Sequence, residues 1–207
     1  IINTGDDAIT LRACEHRVKN KDIHCEFVSI TNCVLSTGIC AFRIGVGFGT
    51  IRHARISNIV IKQALNIAQF CTAYGPKGQA NIEDVNFTNI SAENTDRLFQ
   101  GFANNGAYIK NITMENIRTT STIRNYIEVN EGVVENFNLR NVEINYFDKG
   151  TDLSENELKY RGNNLLSFKG ASKVTLDGVK ISGTLYEIED SIEIKDCSDL
   201  VKHNCNF

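Results

Sequence analysis

The chain has 207 residues, of which 42% are hydrophobic, and its formal net charge is −3. A chain of this length and apolar content can bury a sizeable core. It carries no run of basic residues that would indicate a nucleic-acid partner or an anionic membrane surface, and its apolar runs are far too short to span a bilayer. We therefore expect a globular β-rich protein with a polar or uncharged partner, because Val, Ile, Thr and Phe dominate its local patterns.

The first element begins with the stretch NTGDDAITL, residues 3–11, in which two adjacent aspartates precede an alternating apolar segment. Alternation places Ile9 and Leu11 on the inner face of a strand. Carried one step back, it would also bury Asp7, where an unpaired carboxylate is costly, so we assign Asp7 to the turn before the strand. Asp6 and Asp7 then project from one outer face. Close carboxylates favour opposite protonation states, which supplies one acid and one base.

A short phrase then recurs along the chain. Each of its six copies reads apolar, polar, apolar, polar, then Asn or Gly, then apolar. The copies are VSITNCVL, ARISNIVI, VNFTNISA, ITMENIRT, FNLRNVEI and VTLDGVKI, beginning at residues 28, 54, 85, 112, 137 and 174. Strand side chains alternate with a period of two, so the step of three across the Asn requires a bend or bulge. We predict a left-handed corner at each Asn or Gly, with the amides stacked in a ladder.

A second apolar segment lies between successive copies. These segments begin at Ala41, Asn66, Arg97, Asn125, Asn164 and Ser191. Two or three short strands in each repeat of about two to three dozen residues predict an all-β fold, a right-handed parallel β-helix of about six coils with an asparagine-rich corner. A β-sandwich would need frequent tight hairpin turns, and such turn signals are sparse.

The widest interval between copies includes residues 145–163, where we predict a protruding loop. Near the start, a shift of 33 residues superposes Ile9 and Leu11 on Phe42 and Ile44, so the chain begins in the second half of a coil. We therefore expect residues 1–207 to form a single β-helix domain that is the C-terminal part or a fragment of a longer β-helix. Upstream coils or another chain would cap its N-terminal end.

The stretch GDDAI, followed by a strand, then Asn32-Cys33 and FRIGVGFGTIRHARISNIVI, resembles the polygalacturonase-like pectin hydrolases. These are glycoside hydrolases of the pectin-lyase-like β-helix superfamily, and the similarity covers mainly residues 3–61. It implies inverting hydrolysis of a plant or microbial polysaccharide with Asp6 and Asp7 as the acid and the base. It also implies a secreted or extracellular protein, with the periplasm as the alternative.

This sequence departs from the family pattern at three places. A third aspartate of the family would lie upstream of Ile1, the family's Gly-His-Gly aligns with residues 39–41, and its Arg-Ile-Lys aligns with residues 67–69. The expected His and Lys are therefore absent. Arg43, which points outward one coil above Thr10, is a candidate to replace the lost cationic contact to a uronate or a hydroxyl-rich sugar.

Two further candidates for substrate binding are His53 and Arg55. Ala54 and Ile56 point inward, so alternation places His53 and Arg55 on the outer face. There they either line a substrate groove together with Arg43 or belong to a solvated face. Aromatic side chains offer the same choice between sugar stacking and packing in the core or in turns. The residues concerned are Phe70, Tyr74 and Phe99.

Two other functions stay open. One is a non-catalytic β-helix, either a carbohydrate-binding or adhesin-like module or a tailspike-type segment, in which Gly5-Asp6-Asp7 is only a turn; the missing His and Lys favour it. The other is a polysaccharide lyase, which needs calcium-binding carboxylates or a positioned base, and no acidic cluster beyond Asp6-Asp7 is visible. The seven cysteines have no zinc-type CxxC spacing, so we expect neither a metal nor a cofactor.

Overall fold

The computed structural model describes residues 1–13, 19, 24–74, 78–147, 164–184 and 190–207. Within these ranges the chain is all-β, and its strands stack in parallel as a right-handed β-helix of about six turns. The predicted fold class is confirmed. The described residues contain no helix long and apolar enough to cross a membrane.

Two sheets run along the axis of the β-helix. The first sheet contains β1 (Ile2–Thr4), β3 (His24–Thr31), β4 (Val34–Thr37), the first part of β6 (Thr50–Cys71), β7 (Asn81–Ala92), β9 (Tyr108–Ser121), β11 (Val133–Phe147), β13 (Ser172–Asp177), β14 (Lys180–Thr184) and β16 (Leu200–His203). The second sheet contains β2 (Ile9–Ala13), β5 (Cys40–Gly47), the last part of β6, β8 (Thr95–Ala103), β10 (Asn125–Val129), β12 (Asn164–Lys169) and β15 (Asp190–Lys195). The recurring phrases build the first sheet, and the segments between them build the second.

The register of the strands agrees with the alignment of the opening stretch. Ile9 pairs with Phe42 and Leu11 pairs with Ile44, as the shift of 33 residues predicts. Phe42 and Ile44 are fully buried. The first three residues of the predicted loop, 145–147, belong to β11 instead; the remainder, residues 148–163, lies outside the described residues.

The predicted corners are present in every copy of the phrase. All six corner residues have left-handed backbones, with φ between 48° and 64°. They are Asn32, Asn58, Asn89, Asn116, Asn141 and Gly178. Four of the five asparagines stack as expected: the Nδ2 atoms of Asn89, Asn116 and Asn141 each donate to the Oδ1 of the Asn one coil before, at 3.2 Å to Asn58, 3.3 Å to Asn89 and 2.8 Å to Asn116. We call this stack of Asn58, Asn89, Asn116 and Asn141 the Asn ladder.

A second column of left-handed residues, which the sequence reading missed, lies directly before the phrases. Its φ values fall between 51° and 58°. The members are Phe27, His53, Asp84, Asn111, Asn136 and Lys173. The signal was present, because the inward series steps by three from Cys25 to Val28 and from Ile51 to Ala54, just as it does across the Asn. Each coil therefore turns twice in the first sheet.

Phenylalanine rings from both sheets meet inside the coils. Phe137, for example, lies with its ring centroid 6.0 Å from that of Phe70, 5.2 Å from that of Phe99 and 5.7 Å from that of Phe168. All four side chains are fully buried. Tilted and edge-on rings at these distances add attraction to the area they remove from water. Phe70 and Phe99 are thus core residues and not sugar platforms.

Candidate functional site

The turn that carries the two aspartates is held by the coil above it. It connects β1 to β2, and the hydroxyl groups of Thr4 and Thr37 both donate to the backbone carbonyl of Asp6, the first at 2.6 Å. The Asp7 amide donates to the Asp6 carboxylate at 2.8 Å. Gly38 lies so close to this turn that a Cβ there would be 2.7 Å from the Gly5 carbonyl oxygen. The two carboxylates therefore stand on a turn with little freedom.

Asp7 and Arg43 form a two-pronged ion pair between neighbouring coils. The Arg43 Nε donates to Asp7 Oδ2, and Nη2 donates to Oδ1 at 3.0 Å. Both side chains are only 15% exposed, so solvent screens the pair weakly. Arg43 Nη1 also donates to the Oε1 of Gln69, which pairs with Arg43 one coil further on. The Asp7 carboxylate is thereby fixed in position between two coils.

Two thiols lie beside this guanidinium. Burial raises the pKa of Cys40 to about 12, and burial also raises the pKa of Cys71. Cys40 Sγ donates to Gln69 Oε1 at 3.3 Å. Burial lowers the pKa of Arg43, but the hydrogen bonds that Arg43 donates to Asp7 and nearby negative charge outweigh burial and raise the pKa, so the cation is permanent. Neutral thiols are weak nucleophiles, so the chemistry of this site falls to the carboxylates.

The two aspartates and Arg43 open onto one cavity of about 170 Å³ on the outer side of the second sheet. Thr10, Arg12, Val46 and Tyr74 complete its lining. This volume is below the range of about 300–1,000 Å³ for ordinary ligand pockets, so it suits one unit of a longer ligand. The structure thus brings together three of the five residues that sequence analysis selected.

His53 and Arg55 are not part of this cavity. They lie on β6 in the first sheet, where both bind Asp84: His53 Nδ1 is 2.8 Å from Asp84 Oδ2, and Arg55 Nη2 is 3.0 Å from Asp84 Oδ1. The exposed ring of Phe27 stacks on His53 with centroids 5.1 Å apart. Burial raises the pKa of Asp84, but these two hydrogen bonds outweigh burial and leave the pKa lowered.

Sequence analysis missed two polar residues of the cavity wall, Thr10 and Arg12, and left Tyr74 open between sugar stacking and packing in a turn. Thr10 and Arg12 lie on β2, directly after the aspartates, and outward alternation from Ile9 and Leu11 was the signal that would have found them. Tyr74 lies beyond the last residue of β6, outside any strand, and it is 65% exposed. No periodic pattern connects Tyr74 with residues 6 and 7.

Comparisons with known proteins supply no family for this chain: no protein-family model matches it, and no curated protein matches it. Among the described residues, no group of three His, Cys, Asp or Glu side chains is arranged to hold a metal ion. Function is therefore inferred from the geometry of the cavity and from the resemblance of its motif.

Proposed function

We propose that the chain is a glycoside hydrolase of the polygalacturonase type that acts outside the cell and cleaves a plant or microbial polysaccharide with inversion. One observation carries the proposal. Asp6 and Asp7, adjacent on a constrained turn, open into the same external cavity as the cation Arg43. A glycosidic bond needs a proton donor and a base on opposite sides of the sugar, and this cavity offers two carboxyl groups in different environments.

Asp7 is the candidate base. The ion pair with Arg43 fixes its orientation, and Arg43 occupies only two of the roughly four acceptor positions of a carboxylate. The remaining positions can accept a hydrogen bond from water. In the reaction, Asp7 takes a proton from the attacking water as the water oxygen bonds to the anomeric carbon.

Asp6 is the candidate acid. Its side chain is exposed, accepts the Asp7 amide hydrogen and forms no ion pair with any described residue. In the proposed reaction Asp6 donates a proton to the glycosidic oxygen as the bond to the anomeric carbon breaks. The atoms balance: water adds across the bond, one half of the polysaccharide leaves as an alcohol, and the other ends as a hemiacetal of inverted configuration.

Arg43 is the candidate contact for the sugar. A guanidinium has five N–H donors, and three of those on Arg43 are used by Asp7 and Gln69. The Cys71 sulfur also takes a hydrogen bond from Arg43, which leaves one donor for a carboxylate or hydroxyl of the substrate. Tyr74, which is 65% exposed on the cavity wall, adds an aromatic face against which a sugar ring can pack.

Non-catalytic carbohydrate binding is the second candidate function. It is favoured by the same ion pair, since Arg43 already neutralises Asp7, and by the lack of the family's His and Lys at residues 39–41 and 67–69. The two functions differ in their products. A hydrolase creates new reducing ends, whereas a binding module retains the glycan intact.

The test is a reducing-sugar assay on pectins, glucans and galactans with the intact protein and its Asp6→Asn and Asp7→Asn variants. Asp177→Asn, a half-exposed carboxylate of the first sheet, is the matched control. We expect new reducing ends from the wild type and the control and a large loss in both site variants. Full activity in Asp7→Asn would refute the proposed base. Glycan binding without new reducing ends would replace the hydrolase with the binding module.

A further inference from the structure

A groove lies along the Asn ladder in the first sheet. It consists of two adjoining cavities of about 490 Å³ and 350 Å³, which share Arg118 and Glu143 in their walls. We call it the ladder groove. Each part has the size of a ligand pocket, and both are larger than the cavity at the two aspartates. The ladder groove also differs in shape, because it follows the axis of the β-helix across several coils.

The floor of the ladder groove carries unused hydrogen-bonding capacity. Asn89 and Asn116 each donate one amide hydrogen and accept one within the ladder. An Asn side chain has two N–H donors and two acceptor lone pairs. The second donor and the second lone pair of these residues bind no described residue. These unused donors and lone pairs recur at the spacing of neighbouring strands, about 4.7–4.9 Å.

The charged side chains in the walls of the ladder groove are paired. Glu143 pairs with Arg118 at 3.0 Å and with Lys180 at 3.6 Å, so the three charges alternate in sign up the wall and sum to +1. A nucleic acid or another polyanion needs a cluster of basic residues, and the two cations of this lining are both paired with Glu143. Val60 adds an apolar wall, since it is 48% exposed and lines the same groove.

An extended peptide is a poor fit to this surface. A peptide strand gains affinity by pairing with the free edge of a sheet. The ladder groove crosses the strands instead, and β6, β7, β9 and β11 have their neighbours already paired. The available contacts are therefore side-chain amides and hydroxyls, not backbone groups.

We propose that the ladder groove binds an uncharged, hydroxyl-rich linear polysaccharide along the axis of the β-helix. Each sugar hydroxyl both donates and accepts, which matches an amide that offers one of each. The C–H face of a sugar ring packs against Val60, and the paired charges of the wall favour a neutral chain. This site is distinct from the cavity at Asp6 and Asp7, and it does not depend on hydrolysis taking place there.

The experiment is a binding titration of the full chain, by calorimetry and by NMR shift mapping, with neutral hexasaccharides of β-1,4-linked glucose, galactose, mannose and xylose. A hexagalacturonide serves as the charged comparison. Ser91→Arg places a long cation in the ladder groove from an exposed position. Thr113→Arg makes the same change on the outer side of β9, away from the groove lining, and is the matched control. The variant Asn89→Gly/Asn116→Gly removes two amides and retains the left-handed backbone, as Gly178 does naturally.

We expect at least one neutral hexasaccharide to bind, with shifts at the ladder residues. Ser91→Arg should weaken binding at least tenfold, while Thr113→Arg and Asp7→Asn leave it unchanged. If the double variant fails to fold, Ser91→Arg still decides, because it changes only an exposed side chain. The proposal is overturned if none of the neutral chains binds at millimolar concentration, if the hexagalacturonide binds more tightly, or if Asp7→Asn removes the binding and Ser91→Arg does not.

Discussion

The cavity at Asp6 and Asp7 and the Asn ladder are built in opposite ways. The ladder repeats one residue type at one position of successive coils, and each amide binds the next. The cavity combines residues that occur once: a turn, a cation from the next coil and a tyrosine from beyond β6. The repeated part supports the fold, whereas the unrepeated part carries the reactive groups. This contrast predicts that substitutions in the two regions will affect different measurements.

The largest effect is expected on catalysis. Asp7→Asn retains the size of the side chain but removes the proposed base, and general base catalysis contributes typically about 100-fold to 10,000-fold. We expect a loss of turnover in that range in the reducing-sugar assay. The Asn116→Gly variant serves as a control from the other region and should keep its turnover at a temperature where it is folded. An equal loss in both variants would show that the two regions are not separable.

The next effect is on stability at the ladder. Asn116 donates to Asn89, accepts from Asn141 and has a φ of 54°. Asn116→Ala loses both hydrogen bonds, each worth about 0.5–1.5 kcal/mol, and leaves an alanine in a left-handed backbone, which costs roughly 1–2 kcal/mol. We expect the free energy of unfolding in urea to fall by about 2–5 kcal/mol.

Asn116→Gly separates the two causes, because it loses the hydrogen bonds without the backbone strain. It should be the more stable of the two variants. If Asn116→Ala were as stable as Asn116→Gly, the left-handed backbone would not be what restricts the residue types that position 116 can accept.

Lowering the pH should reduce the stability that Asp84 contributes to the second column of left-handed residues before it affects the Asn ladder. The pKa of Asp84 is lowered in the folded protein, so Asp84 contributes stability above its unfolded pKa of about 4, and this contribution disappears as the pH falls through the folded value. We expect Asp84→Asn to lower the free energy of unfolding at pH 7 by no more than about 1 kcal/mol, as for other partly exposed ion pairs.

The difference between wild type and Asp84→Asn should shrink at pH 3, where the wild-type carboxyl is increasingly protonated. Urea unfolding of both proteins at the two pH values measures it. A difference that grows in acid would contradict the lowered pKa.

The smallest effect is expected at Phe27. This residue is 77% exposed and has a φ of 56°, which is uncommon for a bulky side chain. Asn occupies the equivalent position at Asn111 and Asn136. Phe27→Asn should therefore raise the melting temperature slightly, by the equivalent of about 0.5 kcal/mol after the lost stack on His53 is included. A lower melting temperature would show that the stack outweighs the strain.

The fold was accessible from the sequence because it repeats. A step of three in the inward series marked each Asn corner, and the shift between residues 9 and 42 gave the register of β2 on β5. The same reasoning predicted only part of the candidate site. It placed Asp6 and Asp7 on the turn before β2, and alternation along β5 placed Arg43 on the outer face. The chain reaches Tyr74 only after β6 has ended, so no period relates it to the aspartates. The second column of left-handed residues was not predicted because only three of its six residues are Asn or Asp.

The unequal length of the coils bears on how this protein can change over generations. Asn136 donates a hydrogen bond to Asn111, 25 residues earlier in the chain, whereas Ser182 donates one to Asn145, 37 residues earlier. Both pairs are nevertheless in register. We therefore expect insertions and deletions between the strands to change the free energy of unfolding only slightly, because the entropic cost of closing a longer loop grows slowly with its length. A deletion of one residue inside a strand is different, because it turns every following side chain to the wrong face. A lineage of such proteins is free to vary in length between coils while the spacing within each phrase stays constant.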